Sequence, residues 1–280
     1  MRKSRPSLLE EGPPRAPPHP EEVPAVPATT ATTVDETKAP YLLDFRGVGR
    51  RFGGTEALAP CDLTVRRGEM VSLIGPSGCG KSTLLRLSSR LDQPSSGEID
   101  FRTDSVGYVF QDATLMPWRS VRRNVALLAE LAGTSRAATT EAVDAALATV
   151  GLTDFADHLP RQLSGGMKMR ASLARSLVLR PEVFLFDEPF GALDEITRGR
   201  LNLVLMDLFL EHRFAGLFVT HSVEEAVFLS TRVLVMSARP GRIVEEIEVP
   251  FAFPRSLDLR YTPAFAELAG RVAKALEAAS

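Results

Sequence analysis

Long apolar runs are missing from this 280-residue chain, and no stretch approaches the ~20 residues of a membrane-spanning helix. If the protein works at a membrane, other chains must hold it there. Cysteine is scarce: Cys61 and Cys79 make no disulfide framework, which suits a reducing cytosol. Charge of neither sign dominates. With 33 Lys and Arg against 35 Asp and Glu the net charge is -2, which gives no support for a nucleic-acid partner. Arg2, Lys3 and Arg5 open the chain, but no apolar core follows them, so a secretory signal is not expected. Internal repeats are absent too. What is present is ordinary for a globular protein: 44% hydrophobic and 24% charged residues, enough to bury a full core.

Residues 1–40 are rich in Pro, Ala, Thr and Glu, with hardly a large apolar side chain. Such a composition buries too little surface to offset its ordering entropy, so a disordered tail is expected there. Strands are expected from Tyr41 to Val48 and from Ala57 to Arg67, around an Arg51-Phe52-Gly53-Gly54 turn. An aromatic at Phe52, just before paired glycines, is usually a core plug.

The stretch that organises the chain is Gly75-Pro76-Ser77-Gly78-Cys79-Gly80-Lys81-Ser82-Thr83. It follows the apolar strand Met70 to Ile74 and opens a helix at Leu84. Strand, glycine-rich loop and helix form the context of a phosphate-binding loop. Its glycines let successive N–H groups point at one anion, and the helix N-terminus adds free N–H groups. Lys81 supplies a full charge for phosphates, and the Ser82 hydroxyl suits Mg2+.

Downstream, Glu98 to Phe101 and Ser105 to Phe110 read as a short strand pair ending at Gln111. From Ser120 to about Val150 the pattern turns helical without a strand, with Val121, Val125, Leu128 and Leu131 on one face. This is a helical insertion in an otherwise alternating α/β chain. Ser164 is a good N-cap for the next helix, and Gly165 and Gly166 leave its start bare to an anion. Val183 to Phe186 is an apolar strand that ends abruptly in Asp187 and Glu188. Carboxylates at that edge of a parallel sheet lie where α/β folds bind ligands. Asp187 there can hold Mg2+ through water, and Glu188 can act on an attacking water. His221 likewise sits at a strand's end, after Leu217 to Thr220. Strands at Val233 to Met236 and Ile243 to Val249 flank Pro240-Gly241, and Pro263 to Ala278 reads as an amphipathic helix.

The order GPSGCGKST, Gln111, LSGGM, VFLFDEP, GALD, His221 resembles the nucleotide-binding subunit of an ATP-binding cassette (ABC) transporter over about residues 41–250. Phe110-Gln111-Asp112, Leu115-Met116-Pro117-Trp118 and Ala238-Arg239-Pro240-Gly241-Arg242-Ile243 resemble the importers of nitrate, sulfonate, taurine and related solutes. The resemblance implies an α/β, P-loop NTPase fold of ABC ATPase type. Its mixed sheet core would carry an antiparallel β subdomain and a helical subdomain at about 112–175, with a helical extension at 251–280. It implies ATP and Mg2+ as cofactors. Phe52 would stack on adenine, and Gly75 to Thr83 would hold the phosphates. Ser82, Gln111 and Asp187 would serve Mg2+, and Glu188, His221 and Gln111 would act in hydrolysis. Ser164, Gly165 and Gly166 would bind ATP held by a second copy in a head-to-tail homodimer, whose interface Asp194 would shape. Further partners would be integral membrane permease subunits and, indirectly, a periplasmic or extracellular solute-binding protein. The location would be the cytoplasmic face of the cell membrane. Met167 departs from the Gln commoner after the paired glycines. Alternatives are a soluble ABC ATPase, such as an iron–sulfur assembly scaffold or a repair or translation factor, and an exporter subunit. A simple phosphate-loop kinase is a further alternative, though LSGGM and GALD have no job in one.

Overall fold

The computed structural model describes residues 41–280. The stretch 1–40, expected above to be a disordered tail, lies outside the described residues. Strands β1 (Tyr41–Phe52) and β2 (Thr55–Arg66) form an antiparallel hairpin, and β4 (Ser96–Phe101) pairs with the other side of β1. This small sheet buries Leu43, Phe45, Val48, Leu58, Leu63 and Val65 on one face. Asp44, Arg46 and Glu98 form ion pairs on the other. That alternation is what a one-sided antiparallel sheet requires. β1 runs four residues beyond the expected Val48, so Phe52 is its last residue rather than part of the turn.

The larger sheet has the order β5-β6-β7-β3-β8-β9. Its strands are β3 (Met70–Ile74), β5 (Val106–Val109), β6 (Val183–Asp187), β7 (Ala215–Val219), β8 (Arg232–Met236) and β9 (Ile243–Glu248). All pairings are parallel except β8 with β9. β3 and β7 are buried along their whole length, which explains their unbroken apolar sequences. Because β3, β5, β6 and β7 run the same way, their carboxyl ends share one edge, where ligands bind in such sheets.

One expectation is corrected here. β4 and β5 were expected as a pair, yet they belong to different sheets. Gly107 on β5 permits its close pairing with β6. A Cβ at Gly107 would meet Pro181 Cγ at 2.8 Å and the Phe184 ring at 3.1 Å, so only glycine lets β5 lie this close to β6. The link from Arg102 to Ser105 carries the chain between the sheets, with Thr103 bonded to Glu182 at the start of β6.

Helices α2 (Val121–Leu131), α3 (Arg136–Thr149) and α4 (Gly165–Leu177) pack together as the helical subdomain. Val121 and Val125 are buried as their spacing implies, whereas Leu131 is 76% exposed. Ala129 and the fully buried Asn124 share the inner face instead. The Asn124 side chain accepts from Met116 N at 2.7 Å and donates to Arg119 O at 2.9 Å, pinning the loop ahead of α2. Helix α1 (Lys81–Ser88) follows β3, α5 (Glu195–His212) lies between β6 and β7, and α6 (Val223–Leu229) follows β7. The sequence reading contained no α6, because seven residues are too few for a clear period.

The C-terminal helix α7 (Pro263–Ala278) buries Phe265 and Val272 against the core. Arg255 fastens the segment before it. Its guanidinium is buried and donates to the carbonyls of Val227, Phe228 and Ser230 at 2.8–3.0 Å, and to Phe251 O. These are carbonyls that the end of α6 leaves without helical partners. Arg255→Ala is therefore expected to destabilise the protein by about 3 kcal/mol, since several buried acceptors lose their donor together. A urea midpoint equal to that of the parent would show that α6 finds other donors.

Candidate functional site

The site grows from the loop between β3 and α1. Gly78 has φ 75° and Gly80 φ 109°, the left-handed region that favours glycine. A Cβ on Gly75 would stand 2.8 Å from Met236 O, and one on Gly80 2.8 Å from Ala57 O. The loop can therefore press against both sheets only with glycine at these positions. Gly80 caps α1 without a side-chain acceptor, so the first N–H groups of the helix have none from the cap residue. Lys81 is buried, and its ammonium donates to Gly75 O at 2.8 Å and Pro76 O at 2.9 Å. Cys79 is buried among apolar core side chains, with its Sγ 3.8 Å from the Lys81 ammonium.

Beside the loop lies a cleft of about 450 Å³, lined by Phe52, Thr55 and Ala57, by Ser77, Gly78 and Gly80 to Thr83 of the loop, and by Glu188 and Arg239. Phe52 is 47% exposed on its wall, not the core plug its position suggested. The Arg50 guanidinium covers the Phe52 ring at 4.6 Å.

At the end of β6 the Asp187 carboxylate accepts from Ser82 Oγ at 3.0 Å and from the Tyr108 hydroxyl at 3.3 Å. Burial pushes its pKa up, and the bonds from Ser82 and Tyr108 pull it partly back. Burial also raises the pKa of the Tyr108 phenol, whose ring stacks on Phe110 at 4.1 Å. Glu188 has φ 46°, which a non-glycine residue holds only at a cost of about 1 kcal/mol or more. Its N–H donates to Val219 O at 3.0 Å, and its carboxylate lies 3.4 Å from His221 Nδ1. Gly191 leaves room for that ring, since a Cβ there would be 3.2 Å from His221 Cε1.

Behind His221 stands a buried carboxylate that the sequence reading did not single out. Glu225 accepts from Thr220 Oγ1 at 2.5 Å and lies 3.7 Å from Arg198 Nε. Burial raises its pKa. Arg198 also donates to Leu193 O at 2.8 Å, tying the Gly191-Ala192-Leu193 turn to α5.

Ser164, Gly166 and Asp194 come together elsewhere. Ser164 caps α4 by accepting from Met167 N at 3.3 Å, and Asp194 caps α5 by accepting from Thr197 N at 3.0 Å. The bond from Thr197 holds the Asp194 carboxyl below its usual pKa. A Cβ on Gly166 would be 2.6 Å from Thr197 Cγ2, and Leu193 stands 3.8 Å from the Cβ position of Gly165. Ser164 and Gly166 line a second hollow of about 400 Å³ with Met167, Arg170 and Thr197, and it shares no lining residue with the cleft.

The fold thus gathers Phe52, the loop from Gly75 to Thr83, Asp187, Glu188 and His221, and sets Ser164, Gly165, Gly166 and Asp194 apart. Gln111 sits exposed just past β5 and is not on the cleft wall. Sequence reasoning passed over Tyr108, Arg198, Glu225 and Arg239. Only Arg239 carried a signal, since it stands in the Ala238 to Ile243 segment whose sequence resembles the sulfonate and nitrate importers, though no role was assigned to its side chain.

Asp187 generates a test of sign. Its native pKa is raised above the ordinary 3.8, so ionised Asp187 destabilises the fold at neutral pH. The penalty grows as pH rises from that ordinary value through the native pKa and is absent in stronger acid. Asp187→Asn is expected to raise the Tm of the nucleotide-free protein at neutral pH, with the gain shrinking towards about pH 4. A variant that melts below the parent at neutral pH would contradict a net penalty from burial.

A family-wide sequence profile described as ABC transporter matches residues 58–191. A putative ATP-binding protein of Brucella abortus (strain 2308) is 45% identical over 237 residues, covering 82% of this chain and 91% of that protein. The aliphatic sulfonates import ATP-binding protein SsuB 1 of Pseudomonas savastanoi pv. phaseolicola is 44% identical over 214 residues, covering 76% of this chain and 88% of the relative. Among solved structures, the dimeric ATP-binding cassette MJ0796, bound to ADP and Pi in a post-hydrolysis state, superposes with a TM-score of 0.66 at 29% identity. The match covers 75% of this chain and 99% of that one. With its glycine loop, strand-end acids and two-sheet architecture, this chain belongs to the ABC transporter family as one of its ATP-hydrolysing, ATP-binding proteins.

Proposed function

We propose that the chain binds Mg-ATP in the cleft beside Lys81 and hydrolyses it to drive import of a small sulfonate-like solute through permease partners. The observation that carries this reading is the meeting of Ser82 and Asp187 at 3.0 Å, with Glu188 and His221 alongside. In this reading the loop N–H groups from Gly75 to Thr83 and the Lys81 ammonium bind the phosphates. Phe52 stacks on adenine, a contact worth about 1–3 kcal/mol for a base on an aromatic ring. The hydroxyl of Ser82 and the carboxylate of Asp187 fit Mg2+, which takes one or two protein oxygens and completes its shell with phosphates and water. Bound there, Mg2+ would neutralise charge on the phosphate chain.

Glu188 takes a proton from the attacking water at its carboxylate. His221 uses Nδ1 on Glu188, which orients the ring and leaves Nε2 for a γ-phosphate oxygen. Gln111, next to the Tyr108–Phe110 stack, would join the site as nucleotide binds and report it to the permease.

The separation of the two hollows supports a trans arrangement: Ser164, Gly165 and Gly166 of one copy close the cleft of a second, with Asp194 at the seam. A head-to-tail pair satisfies both clefts at once. Among the described residues no helix is long and apolar enough to cross a membrane. We place the chain on the cytoplasmic face of the inner membrane, held by integral permease subunits that receive solute from an external binding protein. The aliphatic sulfonate import that the SsuB relatives are named for supports both the direction and the solute class.

Glu188→Gln is the direct test of the chemistry. It keeps shape and loses the base, so turnover is expected to fall ~10²–10⁴-fold while ATP binding persists. Steady-state ATPase assays and gel filtration with Mg-ATP read the two effects. Parent-like turnover with no trapped dimer would sink the assignment. Ser164→Arg is expected to leave ATP binding by the single chain intact and abolish ATP-driven pairing. Light scattering showing normal pairing would remove the trans role.

A further inference from the structure

Arg239 lines the nucleotide cleft but belongs neither to the loop nor to the strand-end acids. It stands in the turn between β8 and β9, and the backbone fixes that turn from three directions. Gly241 N donates to Ala57 O at 3.1 Å, Ala59 N donates to Gly241 O at 3.0 Å, and Ser237 N donates to Arg242 O at 2.9 Å. A Cβ on Gly241 would lie 1.8 Å from Cys79 O, so the turn touches the phosphate loop backbone to backbone. Glycine is required here for that approach, and the approach places the side chain of Arg239.

The guanidinium donates through Nε at 3.3 Å and Nη2 at 3.2 Å to one acceptor, the carbonyl of Gly78 in the loop. Among the described residues no carboxylate pairs with it. Its remaining N–H groups and its whole charge stay available at the cleft wall. A planar cation with spare donors, held against a phosphate loop, matches a phosphate oxygen better than any neutral part of a nucleotide.

We infer that Arg239 is a second cationic residue of the nucleotide site, which grips the Gly78 carbonyl and gives its other N–H groups to the phosphate chain. The inference rests on the reading of the cleft as the ATP site. It separates the labour of two cations. Lys81 is buried inside the loop, whereas Arg239 meets the phosphates from the exposed rim and is the more strongly screened by salt.

The test compares the full-length protein with Arg239→Ala and Arg239→Lys, using fluorescence titration of ATP and competition by adenosine at two salt concentrations. Arg239→Ala is expected to weaken ATP about tenfold, the size of one charge-assisted contact, and to leave adenosine unchanged. Its ATP affinity should also depend less on salt than that of the parent. Arg239→Lys keeps the charge without the planar fork and is expected to fall between. Unaltered Tm values without nucleotide would show that both variants are folded. Equal ATP affinity in the Ala variant overturns the inference. So does a matching loss for adenosine, which would reduce Arg239 to a support for loop shape. A parent protein that binds no ATP would instead overturn the cleft reading itself, and this inference with it.

Discussion

Asp187 ends β6 with its carboxylate between the Ser82 hydroxyl at 3.0 Å and the Tyr108 hydroxyl at 3.3 Å. Much of the surrounding architecture serves to hold a charge where burial disfavours it. β6 is central enough in the parallel sheet to be buried on both faces, so its end is a fixed point. Ser82 belongs both to the loop and to the first turn of α1, so a hydrogen bond to Asp187 ties loop, helix and strand together. Tyr108 brings in β5 and, through its stack on Phe110, the segment that leads to Gln111. In the proposed function that negative charge, unfavourable in the empty fold, is what a bound cation at this position requires.

A second constraint is close approach. The loop from Gly75 to Thr83 touches β2 at Ala57, β8 at Met236 and the following turn at Gly241. Each contact involves a glycine whose Cβ would collide with a backbone carbonyl. The loop is thus clamped by both sheets, and its N–H groups are oriented before any anion arrives. Such preorganisation means that little reorganisation is needed on binding.

The polar network behind the cleft links regions that a contact-by-contact description keeps apart. Arg198 bonds to the carbonyl of Leu193 and faces Glu225, and Glu225 takes the Thr220 hydroxyl one residue before His221. The Asp194 cap and His221 are therefore joined by one chain of polar contacts through the base of α5. Arg255 ties the C-terminal segment to the end of α6, so the same region is anchored from outside.

Local chemistry was legible in the sequence wherever a residue acts through its own backbone or immediate neighbours. The phosphate loop needs glycine at fixed spacing. Ser164 and Asp194 cap helices within three residues of themselves, and buried parallel strands must be apolar throughout. Those local signals, read as a set in one order, were enough to mark the ABC architecture. Tertiary structure decided what depends on partners distant in the chain. β4 and β5 are separated by four residues, yet join different sheets, and Gly107 lets β5 lie close against Pro181 and Phe184. Leu131 continues an apolar stripe but falls at the end of α2, where no neighbour covers it. Tyr108 looks ordinary in sequence, and Arg239 stands in a segment whose resemblance assigns its side chain no role. One gains meaning from a carboxylate 79 residues away and the other from a carbonyl 161 residues away. A hydrogen bond between remote segments leaves no periodicity and no motif, so only the folded chain reveals it.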